Sequence, residues 1–163
     1  MTTALKTGMN SRTLKRHLKY IVPEMRLALI KEPGVKPQEI LGPDDLERFI
    51  EPLKHYDTEH FIGFHLDCKM QVIGYQIISP GTLTASLVHP REVFKAALLG
   101  NSNALIVAHN HPAGSLTPSP EDIETTETLI KAGKLLGVQI LDHIIVSSNG
   151  MQSLRELRPA LWI

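Results

Sequence analysis

Two histidines, His109 and His111, stand two positions apart at the end of an apolar run, and Asp122 follows eleven residues after the second. The run itself, 104–108 (ALIVA), is short and continuously apolar, the mark of a strand buried on both faces. Side chains at i and i+2 of a strand point to one face, so both imidazoles can converge on one point. Pro112, Gly114 and Pro118 turn the chain back, and Asp122 then arrives in the first turn of the next helix. Two imidazoles and a carboxylate supply three ligands to a zinc ion and leave a fourth tetrahedral position for water. Water held there is acidified toward neutrality and can attack a carbonyl.

Each piece also has a plainer reading. An isolated His-x-His pair is weak evidence. Ser119-Pro120-Glu121-Asp122 makes a good helix start, with Ser119 as N-cap, Pro120 as first helical residue and Asp122 closing a capping box. The two readings of Asp122 are compatible, because a carboxylate has two oxygens. The pair at a strand end, the returning loop and the acid at a facing helix start together favour a metal centre.

The remaining histidines carry less. His89 precedes Pro90 and reads as part of a helix start. His143 lies mid-strand beside Asp142, either as an ordinary buried polar residue or as a group orienting a ligand. His55, His60 and His65 show no ligand spacing with one another, although His60 adjoins Glu59 and could line the cleft.

The elements that must position these residues follow from the pattern. Leu46, Phe49, Ile50 and Leu53 fall at helical spacing. Residues 61–66 and 71–79 read as two strands joined by a turn around Asp67–Lys69, and 84–88 as a short strand leading into His89. A helix is expected from Pro90 to about Leu99, closed by Gly100 and Asn101. A second should span about 120–136 and end at Gly137, before a buried strand at 139–146, an Asn149-Gly150 hairpin turn and a last short strand. Helices alternating with buried strands imply an α/β layered domain with a mixed sheet.

The bulk numbers bound the function. The 163 residues are one domain's worth, and 42% apolar with 21% charged residues is ordinary for a globular chain. Lys plus Arg and Asp plus Glu balance at 17 each, which argues against a nucleic-acid binder working through bulk charge. Residues 1–20 hold Lys6, Arg12, Lys15, Arg16 and Lys19 and no acid, so they read as a basic arm, expected to be flexible; nucleic acid stays open as a partner only through it. Residues 21–42 read as an extension and linker, and about 43–158 as the domain. The lone Cys68 excludes an internal disulfide and a four-cysteine zinc site, and reads as a strand or turn thiol in a reducing compartment. With no signal-like apolar core and no membrane-length stretch, a cytoplasmic protein without membrane contact is expected.

His-x-His, seven residues, Ser, two residues, Asp is similar to the metal motif of the JAMM (JAB/MPN) metalloprotease superfamily. The stretches SLVHPREVFKAAL (86–98), AHNHPAG (108–114) and AGKLLGVQILDHIIV (132–146) resemble its bacterial RadC-like branch, over about 43–157. The resemblance implies a three-layer α/β/α JAB/MPN fold, cytidine-deaminase-like, with a mixed sheet, and one zinc per chain held by His109, His111 and Asp122. It further implies a hydrolase that cleaves a peptide or isopeptide bond in a protein or peptide substrate. Glu59, just before the first strand, matches the family's general base, and Ser119 its oxyanion donor. The residues alone do not choose Glu59 over Glu51, Glu92 or Glu121. RadC proteins of full length carry a helix-hairpin-helix segment ahead of this domain. Only residues 1–42 precede it here, so the chain reads as a short paralogue.

Other classes compete. An iron oxygenase also uses two histidines and a carboxylate, but commonly with a distant second histidine. A cytidine deaminase needs a Pro-Cys-x-x-Cys half-site that one cysteine cannot provide. His109-Asn110-His111 spells HNH, but that nuclease motif is dispersed rather than contiguous. The non-enzymatic alternative is a RadC-like binding module, with or without a tie to DNA repair. The intact set of ligands, serine and glutamate favours catalysis.

Overall fold

The computed structural model describes Gly34 and residues 38–40, 43–80 and 88–163. The basic arm at 1–20, most of the extension and linker at 21–42 and nearly all of the expected strand at 84–88 lie outside these.

A six-stranded mixed sheet runs in the order β1-β3-β2-β4-β5-β6. Its members are β1 (Gln38–Glu39), β2 (His60–Leu66), β3 (Gln71–Pro80), β4 (Ala104–Asn110), β5 (Gln139–Ser147) and β6 (Gly150–Ser153). Only β4 and β5 pair in parallel, and such a pair needs a crossover. The long helix between them supplies it.

Both sheet faces are covered. On one, Leu46, Ile50 and Leu53 pack against Ile62, Phe64, Ile106, Ala108 and Ile144. On the other, helices α2 (Pro90–Leu99) and α3 (Pro120–Leu136) bring Val93, Phe94, Ala97 and Leu129 onto Phe61, Leu105, Val107 and Ile140. The result is the α/β/α layering expected, with β4 buried along its whole length.

Local chemistry explains where elements start and stop. His89 caps α2, its Nδ1 accepting the Arg91 N–H at 3.2 Å, with Pro90 in the first turn. α3 begins with a complete capping box at Ser119 and ends at Gly137, which takes the left-handed conformation at φ +71°. Cys68 is exposed in the β2–β3 turn, where Asp67 Oδ1 accepts the Lys69 and Gln71 N–H groups at 2.8 and 2.9 Å.

Two details differ from expectation. The helical spacing over Leu46–Leu53 is split into a 3-10 turn (Pro43–Leu46), a single turn α1 (Glu47–Ile50) and a second 3-10 turn (Glu51–His55). Pro52, lacking an N–H and crowding the preceding turn, ends the α-helical bonding there. Ser147 pairs with Gly150, so the last hairpin turns on Ser148 and Asn149, one position earlier than Asn149-Gly150. By contrast, α2 closes at Gly100 and Asn101 as expected, with Gly100 as C-cap at φ −80° and Asn101 left-handed at φ +51°.

The β4–β5 ladder carries a register shift. Leu105 pairs with Ile140 but Ile106 with Asp142, so Leu141 is the extra residue. Even-numbered β5 residues face α2 and α3 before the shift, as Ile140 does, and odd-numbered ones after it.

The C-terminal α4 (Leu154–Leu157) and a final 3-10 turn (Pro159–Trp162) lie along β5, where Trp162 Nε1 donates to the Ile140 carbonyl at 2.8 Å. Among the described residues, no helix is long and apolar enough to cross a membrane.

Candidate metal centre

Side chains at 105, 107 and 109 of β4 alternate onto the α2/α3 face, and His109 arrives there fully buried. His111 follows just past the strand end, held by its N–H donating to the Val146 carbonyl at 2.8 Å. The chain then turns at Gly114, whose φ of +84° suits glycine and whose carbonyl accepts from Asn149 Nδ2 at 2.8 Å. This return sets Asp122, 3% exposed, in the first turn of α3 opposite the two imidazoles.

One ligand atom from each of His109, His111 and Asp122 lies within 4.8 Å of the others. The two Nε2 atoms are 2.9 Å apart, His109 Nε2 is 3.1 Å from Asp122 Oδ1, and His111 Nε2 is 3.3 Å from Asp122 Oδ2. A tetrahedral zinc with bonds of about 2.0–2.1 Å separates its ligands by roughly 3.3 Å, so the donors match such an ion with little movement. Their other atoms are committed elsewhere. His111 Nδ1 donates to the Ser115 carbonyl at 3.1 Å, and His109 Nδ1 meets His143 Nε2 at 2.7 Å. Both imidazoles therefore turn Nε2 toward the shared point.

The electrostatics agree. Burial alone would raise the Asp122 carboxyl, but hydrogen bonds from His109 and His111, and then from Ser119, hold it far below the usual carboxylate range. His111 is raised, chiefly by its hydrogen bond to Asp122, with Glu59 among the charges adding to it. An anionic carboxylate facing two imidazole nitrogens forms a pocket suited to a divalent cation.

Glu59 reaches the same place through the sheet. β2 and β4 pair antiparallel with Phe61 opposite His109; extending that register sets His60 by Asn110 after one residue on each strand and Glu59 by His111 after two, and the Glu59 charge acts on His111. Glu59 and Phe61 fall on one face by alternation. Backbone pairing stops at Phe61, and Asn110 takes over. Its Oδ1 accepts the His60 N–H at 2.7 Å, while its Nδ2 donates to the Tyr56 and Thr58 carbonyls at 3.3 and 3.0 Å. His60 itself turns Nδ1 to the Thr58 carbonyl and stacks near Tyr56, so it braces the segment carrying Glu59.

Ser119 is half-buried beside Asp122. Its oxygen accepts the Asp122 N–H at 3.1 Å, and its own N–H donates to Asp122 Oδ2 at 2.7 Å. Capping and proximity to the centre thus coexist. Glu51 lies on the exposed 3-10 turn, Glu92 pairs with Lys95 and Arg91 on α2, and neither approaches the cluster. His55 pairs with Glu51, and His65 sits buried against Ser102.

Asn110 and Thr126 escaped the sequence reading. Thr126 donates to the Asp122 carbonyl at 2.6 Å and meets His143 Nδ1 at 2.6 Å. One turn beyond Asp122 on the same helix face, its placement was available from spacing alone. Asn110 offered a weaker signal: an amide between two ligands, on the opposite side of the strand end.

The chain is similar to known proteins over most of its length. The UPF0758 protein of Desulfitobacterium hafniense is 45% identical over 132 residues, covering 80% of this chain and 58% of that protein. The Finegoldia magna UPF0758 protein is 50% identical over 115 residues (70% and 52%), and that of Methanosarcina acetivorans 45% over 128 residues (78% and 55%). The chain spans about half the length of these curated relatives. A family model, the RadC-like JAB domain, matches residues 40–159, a span that takes in strands β2 to β6, both covering layers, Glu59 and all three donors. With that match over most of its length, the chain belongs to the RadC-like JAB domain family.

Proposed function

We propose that this chain is a zinc-dependent hydrolase of the JAMM type that cleaves a peptide or isopeptide bond in a protein or peptide substrate. The observation that carries this reading is the approach of His109, His111 and Asp122 to within 4.8 Å of one another, at a strand end facing a helix start. These three would hold one zinc per chain, and the two nitrogens and single oxygen leave room for a fourth ligand. When bound, such an ion acidifies water and polarises a substrate carbonyl.

The protein's own groups divide the remaining work. Glu59, whose charge acts on His111, accepts a proton from the attacking water on its carboxylate and returns it to the departing amine as the C–N bond breaks. Asn110 holds the segment that carries Glu59. Ser119 donates its hydroxyl hydrogen to the carbonyl oxygen as charge develops there, since its oxygen already accepts from Asp122. The near-complete burial of His109 and Asp122 strengthens each of these interactions by excluding solvent.

The test is metal content and hydrolysis together. Protein purified without added metal should carry about one zinc per chain. It should cleave fluorogenic peptide or isopeptide substrates, lose that activity to a chelator and regain it with zinc. Iron or manganese in place of zinc overturns the metal assignment. A zinc-loaded protein that cleaves neither bond type leaves the binding-module reading as the better one.

A further inference from the structure

His109 and His143 are both completely buried, on adjacent strands, with Nδ1 of the first 2.7 Å from Nε2 of the second. Phe61 closes them in, stacked on His109 at 6.0 Å and edge-on to His143 at 5.3 Å. Beyond His143 the chain of contacts runs through Thr126 Oγ1 to the Asp122 backbone carbonyl, both steps 2.6 Å.

The two ends of this run of contacts fix where its protons lie. A carbonyl oxygen can only accept, so Thr126 must donate to it. Having given its one hydrogen, the Thr126 oxygen must accept from His143, which places the His143 proton on Nδ1. The 2.7 Å contact between the two rings holds one hydrogen, and His109 turns its other nitrogen, Nε2, to the cluster as a lone pair, so that hydrogen belongs to His109 Nδ1 and His143 Nε2 accepts it. The sequence alone could not show this, because the extra residue Leu141 is what turns His143 onto the face of His109.

We infer that His143 and Thr126 are positioning residues that lock His109 into the Nδ1–H tautomer, presenting Nε2 to the metal. This deepens the reading of the site as a zinc centre and rests on it. Asp122 and Thr126 sit on successive turns of α3, so one helix supplies both a donor atom and the end point of the lock.

Two measurements test it. Thr126→Val keeps the shape of the side chain and removes the hydroxyl, leaving the His143 Nδ1–H without an acceptor; Thr126→Ser keeps the hydroxyl. Zinc titrations against a chromophoric chelator should show Thr126→Val binding roughly 10–100-fold more weakly than wild type, with Thr126→Ser close to wild type. Equal zinc affinity in wild type and a folded Thr126→Val overturns the inference. The second reading needs no variant. Long-range 1H–15N spectra of the histidine-labelled full chain, with and without zinc, should show His143 protonated on Nδ1 in both states. A proton on His143 Nε2 overturns the lock. Should the wild type bind no zinc, the proposed function fails, and the His143 tautomer in the metal-free protein still decides the lock by itself.

Discussion

The Asn110 carboxamide accepts the His60 N–H at 2.7 Å, at the point where the β2–β4 ladder gives out. One side chain thereby substitutes for backbone pairing and ties residues 56–60 to the strand that carries the metal-site histidines.

Asn110→Ala should therefore loosen that segment without removing any donor of the cluster. The three lost hydrogen bonds should cost about 1–3 kcal/mol in urea unfolding, allowing for hydration of the freed groups. Hydrogen exchange should show the His60 amide losing protection while amides in the middle of β4 keep theirs. Unchanged exchange at His60 would refute the clamp.

Glu59→Gln removes the proton acceptor and leaves the ligands alone. Zinc content should stay near one per chain, while hydrolysis falls by about two to four orders of magnitude. Wild-type turnover in this variant would remove Glu59 from the chemistry.

The His111–Asp122 pair predicts opposite pH responses for the metal-free and zinc-loaded protein. His111 is raised by Asp122, so its contribution to stability is complete below its unfolded value of about 6.5 and fades as pH rises through its folded value. Asp122 is depressed, so its contribution is present above about pH 4 and is lost only in stronger acid. His65 and His143, both lowered by burial, act against folding below about pH 6.5, so the pair is isolated by comparison with His111→Asn. In metal-free protein, the Tm gap between wild type and His111→Asn should be wider at pH 6 than at pH 8.5. Zinc requires the neutral imidazole, so the Tm gain on adding zinc should be larger at pH 8.5. A gap that widens with pH in the metal-free protein would contradict this pairing.

Gly133 faces the end of its own helix, where an added Cβ would run into the Val138 carbonyl oxygen and press on the Phe94 ring. The carbonyl is backbone and cannot swing away. Gly133→Ala should lower stability by about 1–3 kcal/mol in urea unfolding, with zinc affinity close to wild type. A neutral substitution would mean that α3 shifts freely on the sheet.

Much of this architecture was legible because burial imposes periodicity. The continuous apolar run before His109 is buried strand, and Ser119-Pro120-Glu121-Asp122 starts a helix by the capping chemistry of those residue types. The histidine spacing and the returning loop brought three donors together on paper, and they lie together in space. What stayed hidden depends on partners far along the chain. The carbonyls that Asn110 binds are 52 and 54 residues away, and nothing in its neighbours names them. The contact between His143 and His109 depends on a register shift at Leu141, which leaves no mark in an apolar strand. Pro52 did announce a break, but the apolar spacing around it spoke more loudly.

Leu141 gives the strand a frame, in the sense that a reading frame has one. Side chains before it and after it are out of phase by one residue, and Arg155 pins the spot by donating to its carbonyl at 2.9 Å. Should Leu141 slip into the ladder opposite Ile106, everything downstream would exchange faces: His143 would stand opposite Ala108 on the far side of the sheet, and Ile144 would come opposite His109. Most point substitutions in β5 leave this phase untouched. What the centre depends on is that Leu141 stays out of the pairing.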